Sequence, residues 1–241
     1  FSYVGGLAGQ MQGVVGEAVV DATPTYSTFA SSNVEGSGQR IGGLVGYHAW
    51  GSMTNAEMTG TVTGWTVDDV VNFAGSYTGG LSGYSSHGIT YSRYTGSLVK
   101  GGERTGGIVG QVDTTMSYLL SSGTVMGSGS YVGGVAGYGR RINYSAASGD
   151  VFAQSSYVGG LAGQADGGVY DSSASGQVSG HANGDGYNFA STYVGGLVGY
   201  SNNVIHDSFS TSSLVKGGHQ TGGLVGHTDN HVYDSYSTAD V

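Results

Sequence analysis

The chain has no cysteine, one proline (Pro24) and only seven basic residues among 241. Each scarcity removes a class of protein. Without thiols there is no disulfide framework and no thiolate chemistry. A single proline excludes a polyproline linker. The basic residues (Arg40, Arg93, Lys100, Arg104, Arg140, Arg141 and Lys216) are scattered through a chain of net charge −9. A phosphate backbone needs a concentrated basic face, so nucleic acid is not an expected partner. No apolar run reaches the roughly 18 residues of a membrane-spanning helix. Apolar residues make up 38% of the chain, low for a globular core and in keeping with a thin core shared along a column.

Glycine is what the chain has in excess, 49 residues, and it does not fall at every third position as in collagen. It is concentrated in a motif first seen as Val4-Gly5-Gly6-Leu7-Ala8-Gly9. The motif returns with its first glycine at positions 42, 79, 106, 133, 159, 195 and 222. Eight copies at this spacing mark a stacked-repeat array in which each coil touches only its neighbours. Downstream of the motif comes a second pattern, an apolar residue followed nine positions later by another: Met53/Val62, Ile89/Leu98, Met116/Val125, Ile142/Val151, Val169/Val178, Ile205/Leu214 and Val232/Val241. Three apolar anchors per repeat, separated by small polar residues and glycine, predict three short parallel strands per coil. Paired glycines interrupt any helix, at about 1 kcal/mol each against alanine.

The expected architecture is therefore all-β: a right-handed parallel β-helix of about eight three-stranded coils, stacked about 4.8 Å apart. Like residues should stack on like, as in Leu7/Leu44/Leu81/Ile108/Val135/Leu161/Leu197/Leu224. Glycines of the motif and of the corners (Gly60, Gly96, Gly123, Gly149, Gly176) are expected to supply permissive backbone. Strict alternation cannot turn both Val4 and Leu7 inward. Either leucine points in and a second small-residue surface lies outside, the favoured alternative, or a bend intervenes. A further period of 116 residues relates Ser97–Gly102 to Ser213–Gly218, so a four-coil block around 42–125 is duplicated around 159–241. Residues 1–241 read as one array without polar caps, a segment of a longer polypeptide.

The motif Gly-Gly-Leu-Val-Gly-Tyr followed by Asp-Ser-Tyr-Ser-Thr resembles the GLUG repeat, carried here by Gly6–Gly9, Gly43–Gly46, Gly196–Gly199 and Gly223–Gly226, with Ile108 and Val135 replacing the leucine in two copies. Such repeats occur in large bacterial surface proteins, filamentous-haemagglutinin-like adhesins and IgA-specific metallopeptidases. The resemblance implies an extracellular location on the bacterial surface and carries over no catalytic residue.

Searches for chemistry support that reading. His219, His227 and His231 are the densest histidine group, but the first two flank one strand and lie about 25 Å apart at 3.3 Å per residue, too far to share a metal. No His-Glu-x-x-His zinc motif is present, and Asp68-Asp69 is the only adjacent pair of acids, so an enzyme is not expected. Asp171, Asp207 and Asp234 occupy one position in three successive coils. Each is expected to accept a backbone N–H at its turn; calcium bridging the stacked carboxylates is the alternative, and otherwise no cofactor is expected. Tyr91, Tyr118 and Tyr144 hold the same position in coils three to five, where their rings should stack. Thr59, Thr95, Ser122, Ser148, Ser175, Thr211 and Thr238 form a hydroxyl column, read as an internal ladder or, with the column two places on, as an ice-binding array.

Function then points to a structural and adhesive segment that contacts a glycan or protein on a host or neighbouring cell and self-associates through bare strand edges. An ice-binding solenoid and the inactive stalk of a surface peptidase are the alternatives. Two insertions leave the same corner four coils apart, 65–74 and 181–190, and each ends in Asn-Phe-Ala. Phe73 and Phe189 should anchor them. Trp65, Asp68 and Asp69 in one, and His181, Asp185 and Tyr187 in the other, are the expected ligand-binding residues, since aromatics beside carboxylates suit a carbohydrate. Replacing Trp65 and Tyr187 by alanine is expected to weaken cell attachment with an unchanged melting curve. Unchanged attachment, with unfolding in Phe73→Ala, would make the loops packing elements only.

Overall fold

The computed structural model describes residues 3–13, 28–64, 75–154, 156–180 and 192–241. It is a parallel β-helix, and no helix occurs among the described residues. Coil six shows the plan. Strand Tyr157–Gly159 is followed by a bend at Gly160 and Leu161, then by Ala162–Ala165, Val169–Tyr170, Ser173–Ala174 and Val178–Gly180. Every neighbour in the stack pairs in parallel, residue on equivalent residue, as Val158 pairs with Val194 and Gly159 with Gly195.

The strands form four sheets rather than three. The first and third take one strand from each of eight coils, the second is 13-stranded, and the fourth has seven strands, continued into coil eight by the bridge between Leu214 and Asp240. The extra sheet comes from the glycine motif, which the bend divides between the first and second sheets. That bend settles the orientation of the motif against the favoured alternative. Ile41 and Leu44 are both fully buried, as are Val158 and Leu161, so both apolar residues of the motif face inward in these coils. The valines of the first sheet, Val132, Val158 and Val194, face Val125, Val151, Val178 and Val215 of the fourth and form a small core of their own. The leucine ladder from Leu44 to Leu224 belongs to the main core, whereas Leu7, in the first coil with no coil beneath it, is exposed.

The motif glycines are explained by close approach, not by dihedral freedom; among the described residues only Gly51, Gly75 and Gly168 are glycines with positive φ. A Cβ on the second glycine, Gly160, would lie 2.1 Å from the Gly196 carbonyl oxygen and 2.8 Å from Ala174 Cβ across the core. On the first, Gly159, it would meet the Ala162 carbonyl at 2.0 Å; on the third, Gly163, the Val132 amide nitrogen at 2.6 Å. The corner glycines behave alike, each placed against the carbonyl of the one below: Gly96 on Gly60, Gly123 on Gly96, Gly149 on Gly123 and Gly176 on Gly149, at 2.0 to 2.3 Å from an added Cβ.

The left-handed corner belongs to other residues. Asn55, Tyr91, Tyr118, Tyr144, Asp171, Asp207 and Asp234, one per coil from two to eight, all have φ between 45° and 58°. Asn and Asp tolerate this region; tyrosine does so at a cost. What the aspartates share is this backbone, which accounts for the residue type without an accepted N–H. The serine that follows builds the internal hydroxyl ladder. Ser145 N–H donates to Ser172 Oγ, Ser172 N–H to Ser208 Oγ, and Ser208 N–H to Ser235 Oγ, each at 3.1 Å. Ser145, Ser172 and Ser208 also donate to the carbonyl two residues back. The predicted internal ladder lies three residues away and faces outward: Thr95, Ser122, Ser148, Ser175 and Thr211 are exposed. One register also shifts. Val99 and Val215, not Leu98 and Leu214, continue the buried ladder with Val62, Val125 and Val178, because coils three and seven carry one more residue after the corner.

Because the obstructing atoms at Gly160 are backbone on one side and a packed Ala174 on the other, Gly160→Ala has nowhere to relax. The variant is expected to lose more than about 3 kcal/mol in a thermal or urea melt, whereas Ser148→Ala, on the exposed column, should stay within about 0.5 kcal/mol.

Candidate functional site: a tyrosine and carboxylate face

Two columns of outward side chains flank the bend in every coil. On the first sheet the column reads Tyr3, Arg40, Tyr77, Arg104, Tyr131, Tyr157, Tyr193 and Gln220. On the second it reads Gln10, Tyr47, Tyr84, Gln111, Tyr138, Gln164, Tyr200 and His227. The bend tilts the two columns together, and rings touch across it, Tyr77 with Tyr84 at 5.4 Å and Tyr157 with Tyr200 at 5.9 Å between centroids.

The lower coils are held by cation–π contacts. The Arg40 guanidinium carbon lies 4.2 Å from the Tyr47 ring centre, 4.5 Å from Tyr84, 5.3 Å from Tyr3 and 5.5 Å from Tyr77. Arg104 sits similarly among Tyr77, Tyr131 and Tyr138 and donates from Nη1 to the Tyr77 hydroxyl at 2.9 Å. From coil five the arginine is gone and Tyr131, Tyr157 and Tyr193 stack directly, at 4.8 and 5.1 Å. Each such contact contributes on the order of 1 kcal/mol.

Beside these columns stand three aspartates in coils four, six and eight, each clamped the same way. The Tyr84 hydroxyl donates to Asp113 Oδ2 while Gln111 Nε2 donates to Oδ1 at 2.7 Å. The Tyr138 hydroxyl donates to Asp166 Oδ2, and Gln164 Nε2 to Oδ1 at 2.7 Å. The Tyr200 hydroxyl donates to Asp229 Oδ2, and His227 Nε2 to Oδ1 at 2.9 Å. The donors tune the acids and are tuned by them. Asp229 is held below the usual carboxylate range, first by Tyr200 and then by His227. Tyr200 is pushed up to about 12, chiefly by its bond to Asp229. Tyr84 and Tyr138 are raised further, by burial and then by Asp113 and Asp166. Between the first two clamps opens a polar depression of about 450 Å³ lined by Asp113, Tyr138, Arg140 and Asp166.

Other groups of side chains are simpler. Tyr91, Tyr118 and Tyr144 stack at 4.6 and 4.9 Å, nearly parallel, as the sequence predicts, and remain about half exposed. Stacking offsets part of the cost of their left-handed backbone. His206, Asp207 and Asp234 bring one nitrogen and two carboxylate oxygens within 4.8 Å at the surface. His206 Nδ1 pairs with Asp207 at 2.7 Å, and its Nε2 lies 3.6 Å from Asp234. Three donors including a nitrogen are fewer and softer than the oxygen set calcium takes. His227 is half-buried against Tyr193 and Tyr200, and His231 is exposed and stacks on Tyr233; the two share no ligand geometry.

The predicted binding residues Trp65, Asp68, Asp69, His181, Asp185 and Tyr187, and the anchors Phe73 and Phe189, lie outside the described residues. The tyrosine and carboxylate face escaped the sequence reading, although its signal is visible in register: an aromatic or basic residue two places before the first glycine in seven of the eight copies, an aromatic or amide just after the third, and Asp at 113, 166 and 229 in alternate coils.

The family model of the GLUG motif matches residues 37–63 and 154–179, which are coils two and six. These two coils carry the GLUG motif, consistent with a GLUG-repeat region. No curated protein and no solved structure matches it.

Alkaline pH tests the clamps. A tyrosine whose ionisation is raised in the fold contributes stability that is complete below the unfolded value of 10.0 and is lost as pH climbs beyond it. Tyr84 and Tyr138 are therefore expected to ionise only as the chain unfolds, giving a late, cooperative step in the phenolate absorbance titration. Tyr138→Phe should shrink that step; simple titration of all 18 tyrosines near the free value would contradict the clamps.

Proposed function

We propose that this GLUG-repeat solenoid is an adhesive segment of a bacterial cell-surface protein, with no catalysis or cofactor of its own, and that its tyrosine and carboxylate face contacts a glycan on a host or neighbouring cell. The observation that carries the proposal is the pairing, along one side of the stack, of tyrosine-rich columns with carboxylates held as acceptors. Sugars are bound by that combination, since the outward edges and hydroxyls of the half-buried tyrosines contact the sugar while its own hydroxyls donate to fixed oxygens. The GLUG motif supports a repeat region of a larger surface or secreted protein. A rigid stack also presents its contacts without ordering cost at the moment of binding.

The test is attachment of the purified chain to cells and to an arrayed glycan panel. Tyr157→Ala with Tyr193→Ala is expected to lower attachment about tenfold with the fold intact by circular dichroism. Attachment that survives this pair but is lost in Trp65→Ala with Tyr187→Ala would move the contact to the corner loops. A second reading, ice binding, has in its favour that the Thr95/Ser122/Ser148/Ser175/Thr211 column faces solvent, and against it Asp150, Gln177 and Asp240 in the neighbouring column. Thermal hysteresis of the same sample separates the two.

A further inference from the structure

We propose that the tyrosine and carboxylate face binds one linear polysaccharide along the solenoid axis, an extended chain of diequatorially linked pyranoses, and reads it in steps of two coils. This rests on the reading of that face as a glycan-contact surface and adds the geometry of the polymer.

The clamps repeat every second coil, at Asp113, Asp166 and Asp229, so they stand about 9.6 Å apart at 4.8 Å per coil. In each, both carboxylate oxygens already take one donor, from a tyrosine of the coil before and a Gln or His of the same coil. A carboxylate has about four acceptor positions, so every clamp retains capacity for ligand hydroxyls in a fixed orientation. Between the clamps, on the same side of the stack, stand Arg140 and Asn202, both exposed. The wall therefore alternates along the axis: acceptor at Asp113, donor at Arg140, acceptor at Asp166, donor and acceptor at Asn202, acceptor at Asp229.

A polymer that satisfies this wall must present like groups at the same two-coil interval. In an extended, diequatorially linked pyranose chain each ring advances by close to one coil, and alternate rings are turned over. Its hydroxyl edges therefore repeat every second sugar, as the wall does. An axially linked chain of the same sugar coils and loses register after one or two rings. A polyproline peptide needs aromatic slots. Here the faces of Tyr131, Tyr157 and Tyr193 are covered by one another, and the depression between the clamps is polar, so the wall favours a polyhydroxyl chain.

The experiment is calorimetric titration of the whole chain with neutral cello-oligosaccharides of increasing length, with malto-oligosaccharides of equal length as the coiled counterpart. Affinity is expected to climb in steps of two sugars and to level off once the oligomer spans Asp113 to Asp229, four coils or about 19 Å. The malto series should bind at least about tenfold more weakly at each length. Asp166→Asn should remove the middle step with an unchanged melt, and Tyr138→Phe, which keeps the ring but releases the carboxylate, should weaken the same step if the first variant fails to fold. Length-independent affinity, equal affinity for both series, no binding of either, or a proline-rich peptide displacing the sugar would each overturn the inference. If those results come from a chain whose cell attachment still depends on Tyr157 and Tyr193, only the polymer geometry fails; if attachment is indifferent to them, the underlying reading fails.

Discussion

The stack depends on backbone meeting backbone with nothing between. At the bend of each coil three glycines bring one turn of chain against the next and against the opposite sheet, at separations where any Cβ would collide with a carbonyl or amide. The contact does two things at once. It lets the first sheet fold back on the fourth, which closes off a small valine core, and it leaves the leucine ladder to the main core. Neither core is wide, and both are continuous along the axis, so a chain with modest apolar content still buries a full column of side chains. The serine ladder behind the left-handed corner completes the arrangement by satisfying N–H groups that the corner withdraws from the sheets.

Much of the variation falls on residues that point out, and there it accumulates by column. One column alternates tyrosine with arginine, runs through three tyrosines and ends at Gln220; another passes from glutamate through arginine and leucine to alanine, serine and phenylalanine, with Glu57 and Arg93 paired at 2.8 Å. Because equivalent residues of successive coils lie one strand spacing apart, any substitution pattern along the sequence becomes a linear pattern in space. A repeated fold thus converts sequence periodicity into surface periodicity, which is why carboxylates in alternate coils form an evenly spaced row.

Much of this was legible beforehand. Eight glycine motifs and the apolar ladders required a parallel stack, and the stacked Tyr91, Tyr118 and Tyr144 followed from their common position. What could not be read was where the chain bends. A bend at Gly6 and Leu7 and their equivalents changes a strand with one inward face into two strands that both face inward, and alternation alone does not locate it. The roles of individual glycines were obscured for the same reason: the sequence shows that a side chain is missing, but not whether dihedral freedom or close approach requires its absence. His48 marks another limit. It is fully buried, paired with Ser85 Oγ at 2.8 Å and the Gly13 carbonyl at 3.2 Å, in a column whose other members range from glycine to methionine. A column without a pattern gives no sign that a buried polar group belongs there. The face with the clamps went unseen because its two halves lie on either side of the unlocated bend.

The parallel ladders place almost all hydrogen bonds along the axis, a direction with mechanical meaning. A tensile load applied between the two ends of such a stack does not shear many bonds together, as it does when strands are pulled lengthwise. It opens the terminal coil one bond after another, like a zip. Each coil of 27 residues, the spacing between Gly106 and Gly133, then releases roughly 90 Å of extended chain at about 3.4 Å per residue, against the 4.8 Å it occupied in the stack. A short column of this kind is therefore a compact store of length, yielding one coil at a time.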